Sequence, residues 1–421
     1  MILLMRYIPL YLRRFNPALL LSILLPIAAA TADESPIVRI YIDADRTVAR
    51  PSAISIEQGL RTALSEVDHR LGGRKVEIVI KDHRGSSPRS KRHLDQYLQD
   101  DKALAVFSGL HSPPLLAHRQ FINEQGILVL VPWAAAGPIT RFPSKENWIF
   151  RLSVDDSKAG YVIVRHAVKI QQFKRPYLLL EDTGWGKSNE RTMGIALKEL
   201  GVKPVGVAWF KWDVGKPRAR ALLRAIEETA ADVIFLVANA AEAETLIEEM
   251  IELGMKVPIS SHWGITGGNF TDTIDISIRE QIKLFFIQTR FSFINHADDS
   301  LGQKVLQMAQ ALFPEQIKTA QDIKAPTGFI HAYDLGKILI AAVDQVGLTG
   351  DMTTDRNNVR VALENLEKPV QGLVKTYENP FGVFDADHPD AHEALSVEDI
   401  VMARYGDNDE IILLTDTVLE R

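Results

Sequence analysis

The stretch from Val106 to Pro138, VFSGLHSPPLLAHRQFINEQGILVLVPWAAAGP, decides the fold. An apolar run, Ala103–Phe107, predicts a buried strand that ends in the turn Ser108–Gly109–Leu110–His111. Ser112 stands at a helix N-cap position and Pro113 at the first helical position, where a missing N–H costs nothing. The helix runs on to Asn123, Gly126 stops it, and Ile127–Val131 forms a second buried strand. That strand empties into Pro132–Trp133–Ala134–Ala135–Ala136–Gly137, a loop of small residues. Both strands therefore end at the same edge of a parallel sheet, beside a helix N-terminus. Open α/β sheets bind ligands along that edge, and helix N-termini attract anions.

On both sides of this stretch the chain alternates between β and α patterns. Strands are predicted at Val38–Ile42, Val76–Lys81 and Trp148–Leu152, with helices at Ala53–Leu71, Lys91–Leu98 and Ser157–Ile170. A second series has strands at Tyr177–Leu180, Val205–Phe210, Val233–Ala238, Val257–Ser260 and Leu284–Thr289. Its helices fall at Glu190–Leu200, Ala219–Ala230, Ala241–Leu253, Leu301–Phe313 and Phe329–Val346. The C-terminal stretch turns β-like and rich in glycine and proline, with Gly372–Tyr377, Val383–Phe384, Ile400–Tyr405 and Ile411–Leu414 as strand candidates. Strands separated by helix-length patterns imply parallel sheets with helices on both faces, and two such series imply two similar lobes.

The chain has 421 residues, 46% of them hydrophobic and 24% charged, which suits a globular protein of two or three domains. Residues 1–32 read as a secretory leader: Arg6, Arg13 and Arg14 make a basic start, Ala18–Ala30 is apolar, and Ala30–Thr31–Ala32 is an A-x-A cleavage site. The apolar run is shorter than the ~20 residues that a membrane-spanning helix needs. An uncleaved anchor is the alternative reading. Loss of the three arginines takes the formal charge from −6 to −9, which argues against nucleic-acid binding. With no cysteine, neither a disulfide nor a lipid-modified cysteine is available, and two domains of this size can rest on core burial alone.

Motifs for catalysis are missing. Gly186–Lys187–Ser188 follows a strand, as the end of a phosphate-binding P-loop would, but that loop needs glycine at position 181, which is Glu. There is no G-x-S-x-G elbow and no H-E-x-x-H helix. His388 and His392 could contribute to a metal site, but their loose spacing in a polar segment favours a solvated turn. No cofactor, metal site or enzymatic activity is therefore expected. The strand-end loops say more. Three of the six tryptophans, Trp133, Trp185 and Trp263, stand in such loops, where binding residues gather and where indoles serve as stacking platforms.

From about Ile37 to Gly372 the order and spacing of several segments resemble the type I periplasmic solute-binding proteins, in particular the leucine/isoleucine/valine-binding branch. Ile54–Leu71 with Gly72–Gly73 and Val76–Asp82 is similar to that family's first helix, turn and second strand. Phe121–Pro132 is similar to its strand ending in proline, and Phe150–Arg151 with Asp155 and Gly160 to its crossover. Glu181–Gly186 resembles its ligand loop, and Tyr333–Asp334 the Tyr-Asp pair of its late helix. The resemblance implies two Rossmann-like lobes with parallel-type sheets joined by a multi-strand hinge. Residues 36–153 and 286–350 would form the N-terminal lobe, and 154–285 and 351–421 the C-terminal one. It implies a periplasmic, monomeric receptor that closes on one small molecule and hands it to an inner-membrane ABC permease or to a sensor. The alternative reading is a periplasmic ligand sensor or accessory protein for a receptor kinase or redox system.

In that family a helix-start serine and backbone N–H groups of a small-residue loop hold the ligand's carboxylate, and Ser112, Ala134 and Ala136 match those positions. Pro113 and Pro114 delete two donors there, and Ala136 lacks the hydroxyl usual at its place. Trp185 falls where a stacking tyrosine stands, and Asn239 where a further tyrosine is common. Trp263 replaces the acid that pairs an α-ammonium, and a buried ammonium without an anion is costly. The expected ligand is accordingly planar or aromatic, or a carboxylate, rather than an ordinary α-amino acid. Ser112, Trp133, Ala134, Ala136, Trp185, Asn239 and Trp263 are its expected contacts.

Overall fold

The computed structural model describes residues 36–144 and 146–414, so the leader read at residues 1–32 lies outside the described residues. The first sheet contains β1 (Ile37–Ala44), β2 (Arg70–Leu71), β3 (Arg74–Asp82), β4 (Ala103–Ser108), β5 (Val129–Val131) and β6 (Ile149–Arg151). Its order is β2-β3-β1-β4-β5-β6, parallel except for β2. Helices α1 (Arg50–Ser65), α2 (Ser87–Gln99) and α3 (Ser112–Gln125) connect it.

Helix α4 (Asp156–Arg165) opens the second half. There β7 (Pro176–Glu181), β8 (Gly206–Phe210), β9 (Val233–Val237), β10 (Ile259–Ser261) and β11 (Leu284–Thr289) alternate with α5 (Gly184–Glu199), α6 (Lys216–Glu227), α7 (Ala240–Glu252) and the short α8 (Phe270–Thr273) and α9 (Ile276–Ile282). The chain then returns through α10 (Ser300–Leu312), α11 (Pro326–Val346) and α12 (Met352–Glu364). A small hairpin of β12 (Val370–Gln371) and β13 (Thr376–Tyr377) follows, and β14 (Ile400–Tyr405) and β15 (Ile411–Leu413) complete the second sheet in the order β15-β14-β11-β10-β9-β7-β8. The last two strands join it antiparallel.

The elements form for legible reasons. All residues of β4 and β9 are buried, as strands covered by helices on both faces must be. Helix α1 buries the stripe Ala53, Ile56, Leu60, Ala63 and Leu64 at helical spacing and lays it along α11, which is apolar on nearly every face. Gly126, at φ +64°, ends α3 in the left-handed conformation that glycine adopts without strain.

Some expectations shift. Helix α1 stops at Ser65, because Asp68 and His69 take positive φ and lead into the β2–β3 hairpin over Gly72 and Gly73. Helix α3 is capped at His111, one residue earlier than read, so Ser112 is its first helical residue. Asp155 caps α4, which starts at Asp156, one residue before the start expected at Ser157, and the last turn, His166–Ile170, is π-helical. Val383–Phe384 forms no strand, and α12 stands in a stretch assigned no element from sequence. Strand β11 pairs with β10 and β14 of the second sheet, while α12 packs on α11 and on β4 of the first. Those contacts lie across the boundaries read at 286 and 351.

The chain passes between the two halves at 152–155, at 290–299 and at 378–399. One buried cluster fastens the first and third of these passages. Arg151, fully buried at the end of β6, places Nη2 2.7 Å from Asp155 and 2.9 Å from Glu393, and its Nη1 donates to the Ala136 carbonyl at 2.9 Å. Arg141 Nε and Lys158 Nζ also reach Glu393, at 2.8 and 3.0 Å. Burial alone would raise the Glu393 carboxyl, but these cations hold it well below the usual carboxylate range. The Arg151 backbone joins the same clamp, its N–H donating to His392 and its carbonyl accepting from Ala394, both at 2.9 Å. Replacing Arg151→Met leaves two buried carboxylates short of a cation. It should cost about 3–5 kcal/mol in urea unfolding, and a loss below about 1 kcal/mol would refute this role for the cluster.

Candidate functional site

The site lies where the strand order of each sheet reverses. In the first sheet β1 has β3 on one side and β4 on the other, so the loops after β1 and β4 splay apart. In the second sheet β7 lies between β8 and β9, which brings Glu181 and Asn239 to the corresponding crevice. The two crevices face a narrow, nearly filled cavity lined by Leu110, His111, Ser112, Pro113, Trp133, Ala135, Glu181, Trp185, Asn239, Trp263 and Gly264. A second, roomier chamber shares Leu110, His111 and Asn239 with it and extends past Asp45, Trp212 and Glu242.

Three indoles dominate the inner cavity, and all are shielded: Trp133 and Trp263 are 1% exposed and Trp185 6%. Trp185 opens α5, whose N-terminus Thr183 caps by accepting from the Gly186 N–H. Its Nε1 donates to Asp156 Oδ1 at 3.1 Å, an oxygen that also accepts from Asn189 at 2.8 Å and lies 3.3 Å from His262 Nε2. Burial raises the Asp156 carboxyl against these neighbours. His262 Nδ1 accepts from the Trp263 N–H at 2.9 Å, so its proton sits on Nε2, facing Asp156. The His262 ring stands edge-on to both Trp185 and Trp263. Gly264 is needed beside them, because a Cβ there would fall 2.7 Å from the Trp185 ring and 2.4 Å from the Ala238 carbonyl oxygen. Trp263 also rests against His331, a neutral imidazole that burial lowers to about 4 and that bonds the Pro132 carbonyl at 2.8 Å. Trp133 Nε1, buried, has no hydrogen-bond partner.

Of the residues expected from sequence, Ser112, Trp133, Trp185, Asn239 and Trp263 line the cavity, whereas Ala134 and Ala136 do not. Ala135 takes their place on the wall. The small-residue loop uses its polar groups internally. The Ala136 N–H donates to Ser112 Oγ at 3.3 Å, and the Ala136 carbonyl accepts from Arg151. The Ala135 carbonyl accepts from the Asp156 N–H at 3.1 Å, and the Trp133 carbonyl from Ser153 Oγ at 2.6 Å. Two of the groups expected to hold a carboxylate thus bond one another. His388 is exposed and pairs with Asp385, as a solvated turn would have it. His392 departs from that reading: it is buried, stacked on Phe150, and bonded to the Ile149 carbonyl and to Glu364.

The contacts expected from sequence did not include Glu181, His111 or Asp45. Glu181 ends the fully buried strand β7 and is itself 1% exposed. It accepts from Thr183 Oγ1 at 2.9 Å and from Asn239 Nδ2 at 2.8 Å. Burial pushes its carboxyl up to about 7. An acid closing an apolar strand at the ligand edge was the signal that could have found it. Asp45 faces His111 Nε2 at 3.2 Å and accepts from the Thr47 and Val48 N–H groups. Burial works to raise it, but these donors win and hold it well below the usual carboxylate range.

The sequence profile of the periplasmic binding protein family matches residues 41–398. An amino acid binding protein of Pseudomonas aeruginosa is 22% identical over 203 residues, 48% of this chain and 53% of that protein, so the match spans about half the length of that relative. A periplasmic binding protein type 1 from Bordetella pertussis Tohama I superposes with a TM-score of 0.73 at 15% identity, covering 90% of this chain and 99% of that one. A solute-binding protein of an ABC transporter from R. palustris, solved in complex with benzoate, gives a TM-score of 0.71 at 15% identity over 90% and 95% of the two chains. At these identities the solved structures speak to the fold.

The Glu181 carboxyl has a measurable consequence. An unfolded glutamate titrates near ~4.3, so between that value and about 7 the folded chain keeps a proton that the unfolded chain has released. This contribution to stability is complete at low pH and is lost as pH rises through about 7. Glu181→Gln does not titrate, so its melting temperature relative to the wild type should rise between about pH 5 and about pH 8. An equal difference at both would count against the burial of this charge.

Proposed function

The chain belongs to the periplasmic binding protein family, and on that premise we propose that it captures a small, flat organic solute between its two sheets and delivers it to an inner-membrane ABC permease. The carrying observation is the convergence of Trp133, Trp185 and Trp263, from three separate loops, on one cavity at both switch points. Trp133 comes from the first sheet and the other two from the second, so a solute touching all three bridges the halves. Such a ligand favours the closed arrangement over an open one by its differential contacts. The role is binding without chemistry.

Trp263 stands in place of an acid, but Glu181 returns one to the same cavity. An α-amino acid is disfavoured instead at its carboxylate end. Pro113 and Pro114 have no N–H, and the Ala136 N–H is engaged by Ser112, so an α-carboxylate finds few donors. The same shortage of donors disfavours any other carboxylate and leaves the flat, apolar walls to select the solute.

A thermal-shift panel of aromatic amines, alcohols, amides and acids beside leucine and valine tests this reading. Stabilisers should come from the aromatic set, and a clear response to leucine would overturn it. For the strongest stabiliser, Trp185→Ala should weaken binding by at least roughly tenfold, about 1.4 kcal/mol, with the far-ultraviolet dichroism of the fold retained. Unchanged affinity would remove Trp185 from the site.

A further inference from the structure

We propose that the solute carries a positively charged nitrogen, quaternary or protonated, held against the Glu181 carboxylate inside the indole cage. The inference rests on the preceding reading of this cavity as the solute site and names the class of solute it takes.

Four observations converge on it. Glu181 lines the cavity and is buried, yet the groups that donate to it, the Thr183 hydroxyl and the Asn239 amide among them, are neutral. A buried carboxylate without a counter-charge is costly, and a cation seated beside it would supply one. Among the described residues lining the inner cavity there is no lysine or arginine, and His111 is engaged with Asp45. Beyond the Asp45–His111 pair the outer chamber adds Asp213 and Glu242 against Arg84, whose guanidinium lies 3.4 Å from Asp82. An anion meets like charge on this path, whereas a cation is drawn inward.

The walls suit the same chemistry. An ammonium is attracted to the faces of indoles, and an aromatic cage with an acid in it is the arrangement that binds alkylated nitrogen. Meanwhile the seat for an anion is weak, since Ser112 and the Ala136 N–H satisfy one another. Trp133 Nε1, on a side chain 1% exposed that lines the cavity, is a donor without a partner. It calls for an uncharged acceptor, a hydroxyl or carbonyl oxygen, on the same solute. The ligand class is therefore a compact organic ammonium on a flat body that also bears a neutral oxygen.

Three molecules of matched shape provide the test: 2-phenylethylammonium, 2-phenylethanol and phenylacetate, titrated calorimetrically into the purified full chain. The ammonium should bind at least about tenfold more tightly than the alcohol, with phenylacetate weakest. In Glu181→Gln that advantage should vanish while the alcohol's affinity is kept. Phenylacetate binding as tightly as the ammonium, or a variant that keeps the full preference, would overturn the assignment and leave solute capture standing. Should the variant not fold, the ranking in the wild-type chain decides alone. Should none of the three bind, the charge of whatever small molecule the denatured chain releases decides: a cation supports the proposal and an anion refutes it. If nothing binds and nothing is released, the proposal and the solute-binding reading fall together.

Discussion

Arg151 is the side chain on which this architecture turns. Its guanidinium is removed from water at a junction where two of the three passages between the halves run side by side. A buried charge is tolerated only when its partners are close and complete. Here Asp155 belongs to the first passage, Glu393 to the third, and the Ala136 carbonyl to the loop that begins with Trp133. One residue therefore fixes the hinge and the wall of the cavity together. Asp155 also caps α4 through the Ser157 N–H, and α4 supplies Asp156, which holds Trp185. From the arginine to two of the three cavity indoles the connection is a short chain of hydrogen bonds, with no intervening stretch free to drift.

That rigidity sets the electrostatics of the cleft. Water is largely excluded from the inner cavity, so each charge there acts with little screening. The opening turn of α3, which would ordinarily attract an anion, is flanked by Glu181 from the opposing sheet and lacks the amides of two prolines. Asp45 and His111 bond each other at the mouth. What remains is a carboxylate facing indoles, a balance that neither sheet edge possesses by itself.

Much of the fold could be read from the chain because its buried strands are nearly unbroken apolar runs. Val233–Val237 and Ala103–Ser108 illustrate it, and the helices between them carry the 3.6-residue stripe. The edge of the sheet was legible for the same reason, and with it the positions of Trp133, Trp185 and Trp263. Partner choice was not. Whether Ser112 faces a ligand or Ala136 depends on how two loops meet, and no local pattern encodes a 3.3 Å approach between residues 24 apart. Glu181 escaped notice because an acid at the end of a strand reads as loop polarity until the opposing sheet covers it. Helix α12 was missed because its buried face contains Asp355, Arg356, Arg360 and Glu364, which break the apolar stripe; Arg356 reaches the Ala103 carbonyl, Arg360 pairs with Glu364 one turn on, and Asp355 accepts from the Thr349 N–H.

The clustering of indoles also shapes how the protein emits light. Of the six tryptophans in the chain, Trp133, Trp185 and Trp263 surround the inner cavity and Trp212 borders the outer chamber. Trp185 donates to a carboxylate, and Trp185 and Trp263 both meet the edge of the His262 imidazole, two kinds of neighbour that drain an excited indole. The intrinsic fluorescence of this chain is thus weighted toward the one region where its halves meet. Any change in how those halves meet would be written into the colour and brightness of the unlabelled protein.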